Sequence, residues 1–236
     1  MQNSKWIQFS KLTGKCYMTM CGALKDANCW MQAFELLKEI VQEERKKNPN
    51  YGSTLEMLDD ITDYCYDIQG WLEDCLDEVD MRGDSATLLR MCDELLTLFS
   101  WQEYSGSDIK FMKFSALQQL GKIKEAVKFC KEWIRKEPEN IYAATAGVYA
   151  YIDIKAYSDA EALVDRFIFD KLICFEENDI MFIAASKLYE VMGKKQEKKL
   201  VDEALQKYDE ELEQYLMGMD DEEGWDDEWL EELPFN

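Results

Sequence analysis

The chain has 236 residues, 47% of them apolar, with only 3 Pro and 11 Gly, so a sizeable core is available and helix-compatible residues dominate. It contains no histidine, which excludes imidazole-activated nucleophiles, histidine general bases and histidine metal ligation. A formal net charge of −22 argues against direct nucleic-acid binding and for solubility or a basic partner.

Along the chain, Lys5, Lys11 and Lys15 interrupt any apolar run near the start, so no signal peptide is expected. Asn28 marks a turn before Ala33, Leu37 and Ile40, which recur at helical spacing. Ser53 and Thr54 are placed to cap a helix whose apolar residues run from Leu55 to Val79, either unbroken or as two helices broken near Gly70. Gly83, Gly121, the segment around Lys155, and Gly193 read as further turns, and Pro138 ends the helix that follows Gly121. Residues 141–154 are apolar nearly all round, with Ala143, Ala146, Gly147 and Ala150 forming a thin side, as in a helix enclosed by neighbours. The uncharged stretch 140–152 spans 13 residues, short of the roughly 20 that cross a bilayer, so no membrane partner and a cytoplasmic location are expected. Leu200, Val201, Ala204, Leu205, Tyr208, Leu212 and Tyr215 make one stripe on a charged helix, the pattern of a terminal cap.

Ile123, Ala126, Cys130 and Trp133 recur 34 residues later as Tyr157, Ala160, Val164 and Phe167. A small residue followed at i+4 and i+7 by larger apolar ones gives a helix one stripe with a point of close approach, so each unit reads as a helical hairpin. The turn anchors at 28, 83, 121, 155 and 193 are irregularly spaced, with the largest insertion between the first two.

Ala126-x3-Cys130 with Pro138 beyond it, Ala160-x3-Val164 and Ala33-x3-Leu37 resemble the tetratricopeptide repeat family, whose unit is a helix pair of about 34 residues with A-x3-F in its second helix and a closing Pro. The resemblance implies an all-α chain of about ten to twelve helices in a right-handed α-α superhelix of irregular hairpins. It would cover residues 1–217, with the clearest repeats at 107–140 and 141–174 and an acidic tail over 218–236. Lys110 and Lys113 stand where the family has apolar residues, and Lys198 where it has a small one. The resemblance further implies a non-enzymatic interaction module that binds a peptide segment of a partner protein along its first helices, where Phe111, Gln118, Tyr142, Tyr149 and Ile152 are the candidates. The subfamily that clamps a C-terminal carboxylate uses Lys and Asn where Phe111, Ser115, Thr145 and Tyr149 stand here, so that mode is not expected.

Other chemistry finds little support. Gly14-Lys15 is followed by Cys16 and lacks the glycine spacing of a phosphate loop. The carboxylates Asp59, Asp60 and those between Glu73 and Asp80 read as a solvated helix face. A calcium loop around Gly224 fails because Met219 and Leu230 fall on ligand positions. No enzyme, cofactor or metal is expected. The eight Cys lack any C-x-x-C pair and mostly sit among apolar neighbours, which reads as buried free thiols.

The acidity is local, since residues 51–100 carry 2 basic and 13 acidic side chains and residues 201–236 carry 1 and 15. From Gly218 on, nine acids and no base surround Trp225, Trp229, Leu230, Leu233 and Phe235. Three readings of that tail stand: a solubilising end, a segment docked on its own domain, or a linear motif for a basic groove. The two acidic blocks also suit a second function class, an acidic inhibitor or nucleic-acid mimic that occupies a basic protein surface.

Overall fold

The computed structural model describes residues 4–222 apart from Ala27, Glu103 and Tyr104, with side chains as far as Met217. Among these residues there are eleven α-helices and no strand. In order they are α1 (Ser4–Met20), α2 (Cys29–Lys47), α3 (Leu55–Ile61), α4 (Ile68–Met81), α5 (Ser85–Leu98), α6 (Ser107–Gln119), α7 (Ile123–Lys136), α8 (Ile141–Asp153), α9 (Tyr157–Phe167), α10 (Asp179–Met192) and α11 (Lys195–Glu222).

One turn recurs. Gly22, Gly83, Gly121, Lys155 and Gly193 are all left-handed, with φ between 59° and 71°. After each, the next amide donates to the carbonyl five residues back: Ala23 to Met18, Asp84 to Val79, Lys122 to Leu117, Ala156 to Tyr151 and Lys194 to Tyr189, at 2.8–3.3 Å. This is the helix-ending motif that satisfies otherwise orphaned carbonyls. After the last four, the following helix begins two residues later, so α4–α5, α6–α7, α8–α9 and α10–α11 are hairpins of one design. The expected anchor at Asn28 is displaced. Asn28 precedes α2 with right-handed backbone, and the left-handed residue is Gly22, with a longer loop between them.

The chain divides into two compact units, Met1–Phe129 and Cys130–Asn236, with the boundary inside α7. In the first, α1 packs on α2, α4 on α5 and α5 on α6. Its core is an aromatic chain. Trp6 stacks on Tyr66 at 5.0 Å, Phe9 meets Trp71 edge-on at 5.0 Å, and Trp71 lies parallel to Trp30 at 6.2 Å. These rings tie α1, α2 and α4 through dispersion and quadrupole contacts.

The helix expected across 55–79 is broken, but at residues 62–67 and not near Gly70. Asp63, Tyr64 and Asp67 are left-handed there, a conformation that ends a helix. Asp59, buried at the end of α3, accepts hydrogen bonds from the amides of Ile68 (2.7 Å) and Gln69 (3.1 Å) and so holds the start of α4. Gly70 lies inside α4's first turn. A Cβ on it would stand 2.7 Å from Asp67 Oδ2, whose carboxylate caps that turn.

In the second unit α8 is enclosed as its sequence suggests, with residues Ala143 to Val148 and Ala150 buried. A Cβ on Gly147 would come within 2.6 Å of Ile134 and 2.9 Å of Leu163, so α7 and α9 press on it from two sides. The repeat positions Cys130, Ala160 and Val164 are buried, as is Ala126 in the first unit. Lys198, the departure from a small residue, donates to Ser186 (3.1 Å) and Asp202 (2.5 Å), so the turn end of α10–α11 is joined by a polar cluster. The apolar stripe on α11 is buried at Val201 and Ala204 and half-buried at Leu205 and Tyr208, but exposed at Leu200, Leu212 and Tyr215.

Candidate partner-binding surfaces

The residues named for an inner groove fall in different units. Phe111 and Gln118 are half-buried on α6, with Phe111 edge-on to Phe114 at 6.0 Å. Tyr142, Tyr149 and Ile152 lie on α8. Tyr142 is exposed, whereas Tyr149 and Ile152 are half-buried against the second core. Trp225, Trp229, Leu230, Leu233 and Phe235 lie outside the described residues.

A concavity that sequence reasoning missed lies on the first unit. Residues Lys38, Arg45, Leu89, Arg90, Asp93 and Glu94 from α2 and α5 line a groove of about 660 Å³. Its charges are zipped. Lys38 contacts Glu35 at 2.7 Å and Glu94 at 2.5 Å, and Arg90 contacts the same two carboxylates at 2.9 Å each. Partial burial opposes the charged states, yet these contacts hold Glu35 below the usual carboxylate range and Lys38 above its ordinary value. At the groove's end Arg45 donates to the carbonyls of Tyr51 (3.0 Å), Leu98 (2.5 Å) and Gly52 (2.5 Å) and lies over the Phe99 ring. It therefore staples the α2–α3 loop to the end of α5. General acid–base work needs a group poised near neutrality. Glu35 and Lys38 are both moved away from it.

The thiols are mostly enclosed. All eight are free, and six are buried: Cys16, Cys29, Cys75, Cys92, Cys130 and Cys174. Burial pushes Cys75, Cys92 and Cys130 up to about 12, and Cys174 to about 11, so none is a thiolate at neutral pH. Among the described residues no three Cys, Asp or Glu side chains converge as a metal site requires. No described helix is long and apolar enough to cross a membrane.

A second missed feature is the loop 168–178, where Phe169 is 94% exposed and Leu172, Ile173 and Phe175 are also open to solvent. The run Leu172 to Phe175 is visible in the sequence as an apolar stretch between two helices. Comparison with protein-family models, curated proteins and solved structures finds no match.

Proposed function

We propose that the chain is a non-enzymatic protein–protein interaction module, a tetratricopeptide-like right-handed superhelical scaffold that holds a peptide segment of a partner. The observation that carries this reading is the fivefold use of one hairpin turn, four times with the next helix starting two residues on. A stack of such hairpins presents a continuous lined surface, which is how helical repeats recognise extended ligands. The resemblance of Ala126-x3-Cys130, Pro138 and Ala160-x3-Val164 to that family assigns the ligand to the α6 and α8 faces, at Phe111, Gln118, Tyr142, Tyr149 and Ile152. Free thiols throughout suit a reducing compartment, the cytoplasm. The test is selection of peptides from a random display library against the whole chain, followed by Tyr142→Ala and Gln118→Ala. Selected peptides should lose at least tenfold in affinity in both variants. Failure to select any peptide, or selected peptides indifferent to both substitutions, would sink the reading.

A second function class is an acidic mimic that occupies the nucleic-acid site of a basic protein. Its support is the density of carboxylates in residues 51–100, where only Arg82 and Arg90 are basic. Competition by a DNA oligonucleotide for a captured partner would favour it.

A further inference from the structure

The second unit ends in an apolar face that the rest of that unit leaves open. α11 has 28 residues and its hairpin partner α10 has 14, so at about 1.5 Å per residue half of α11 projects past the start of α10. The stripe Val201, Leu205, Tyr208, Leu212, Tyr215 keeps the i, i+4, i+7 spacing across that point. It is buried or half-buried as far as Tyr208, then exposed, with Leu212 at 42% and Tyr215 at 65%.

The α9–α10 loop sits at the same end. Cys174 and Tyr208 belong to one core cluster, and the Asp209 and Asp179 carboxylates add to the burial that raises the Cys174 thiol. The loop therefore reaches α11 near Tyr208 and Asp209, and its Phe169, Leu172 and Phe175 are all more than half exposed. An open apolar area of this kind marks an interaction site more often than chance.

The charge around it selects the occupant. Exposed Asp209 and Glu211 flank the stripe on α11, and exposed Glu176 and Glu177 follow Phe175 on the loop. The nearby cations are engaged: Lys207 with Glu211 at 3.5 Å, and Lys171 with Asp165 at 3.5 Å and over the Tyr189 ring. Residues 223–236 carry six acids and no base, so the chain's own continuation would set acid against acid. A second copy laid on the same face would do likewise.

We propose that the exposed part of α11 over residues 209–217 together with the α9–α10 loop is a docking face for a basic amphipathic helix of a partner protein. Apolar anchors of that helix would cover Leu212, Tyr215 and Phe169, and its Lys or Arg residues would meet Asp209, Glu211 and Glu176. The face uses none of the α6 or α8 residues, so it stands or falls independently of the peptide groove proposed above.

The probe is a synthetic 18-residue peptide of Leu and Lys at amphipathic helical spacing, titrated into the full chain by fluorescence anisotropy, with a Leu/Glu peptide of the same pattern as control. The Leu/Lys peptide should bind and the control should not. Leu212→Ser with Tyr215→Ser, both exposed positions, should weaken binding at least tenfold with the helical circular dichroism unchanged. Asp209→Lys with Glu211→Lys should weaken it similarly, whereas Glu56→Lys with Asp60→Lys, in the other acidic block, should not. Equal loss in all three double variants would mean diffuse charge attraction and overturn the proposal. So would a tenfold gain on removing residues 223–236, which makes the tail the occupant, or a dimer in sedimentation that Tyr215→Ser dissolves.

Discussion

Lys155 and Gly193 carry their chains through the same backbone turn. Their φ angles are 59° and 71°, and the amides after them donate to the carbonyls of Tyr151 and Tyr189, at 2.8 and 2.9 Å. At Lys155 this conformation brings Cβ against the following carbonyl, a cost of roughly 1–2 kcal/mol that glycine escapes. Glycine returns part of the gain by loosening the unfolded chain. Lys155→Gly should raise stability by about 0.5–1 kcal/mol in urea denaturation. A loss of stability would show that the lysine is not strained in this turn.

Ala126 and Ala160 are both buried, five residues after left-handed Gly121 and Lys155. Leucine at either site adds volume where a well-packed core has no room, which costs about 1–3 kcal/mol. Thermal unfolding of Ala126→Leu and Ala160→Leu should show both destabilised. If both melt like the parent, neither alanine is a close-approach point.

The hairpins at Gly83, Gly121, Lys155 and Gly193 are legible in the sequence because each turn is short and a stripe of buried residues follows at helical spacing. The α1–α2 turn is not, because a loop separates Gly22 from Asn28 and the eye settles on the wrong end of it. The break between α3 and α4 is hidden for another reason: apolar spacing runs unbroken from Leu55 to Val79, and what stops the helix is backbone handedness at Asp63, Tyr64 and Asp67. The α2–α5 groove is equally hidden, since it pairs Glu35 with Arg90 and Lys38 with Glu94, residues more than 50 apart. Of the five residues named on α6 and α8, only Tyr142 is exposed.

Asp59 looks like one of many surface acids in its block, yet it is 3% exposed and serves two amides at the start of α4. Asp59→Ala would leave both donors without that acceptor, at a cost of about 1–3 kcal/mol. Asp60→Ala, at an exposed neighbour, should cost much less. Chemical denaturation of the pair tests this, and equal effects would contradict a capping role for Asp59.

Native-state alkylation should separate the cysteines by exposure. Cys21 and Cys65 are exposed, while Cys75, Cys92 and Cys130 are buried with pKa values pushed up to about 12. Iodoacetamide at pH 8 should modify Cys21 and Cys65 quickly and the other six only after unfolding, as read by intact mass and peptide mapping. Rapid native labelling of Cys92 or Cys130 would contradict their burial.

The ion pairs across the α2–α5 groove should make stability depend on acid in a definite direction. Lys38 and Arg90 hold the Glu35 carboxyl below the usual range against the opposing effect of partial burial. A carboxyl with a depressed folded pKa contributes stability above its unfolded value, near 4.3, and that contribution fades as pH falls through the lower folded value. Repulsion from the chain's many acids acts the other way, but at about 0.15 M salt it is screened beyond roughly 8 Å, whereas the two cations lie at 2.7 and 2.9 Å. The local pairs should therefore win. Glu35→Gln should be less stable than the parent at pH 7, by under about 1 kcal/mol because the pairs are partly exposed. That difference should hold down to about pH 5 and shrink steadily below pH 4. Urea denaturation of both chains between pH 7 and pH 3 measures it, and a difference that stays constant or widens on acidification would show that Glu35 is not held by Lys38 and Arg90.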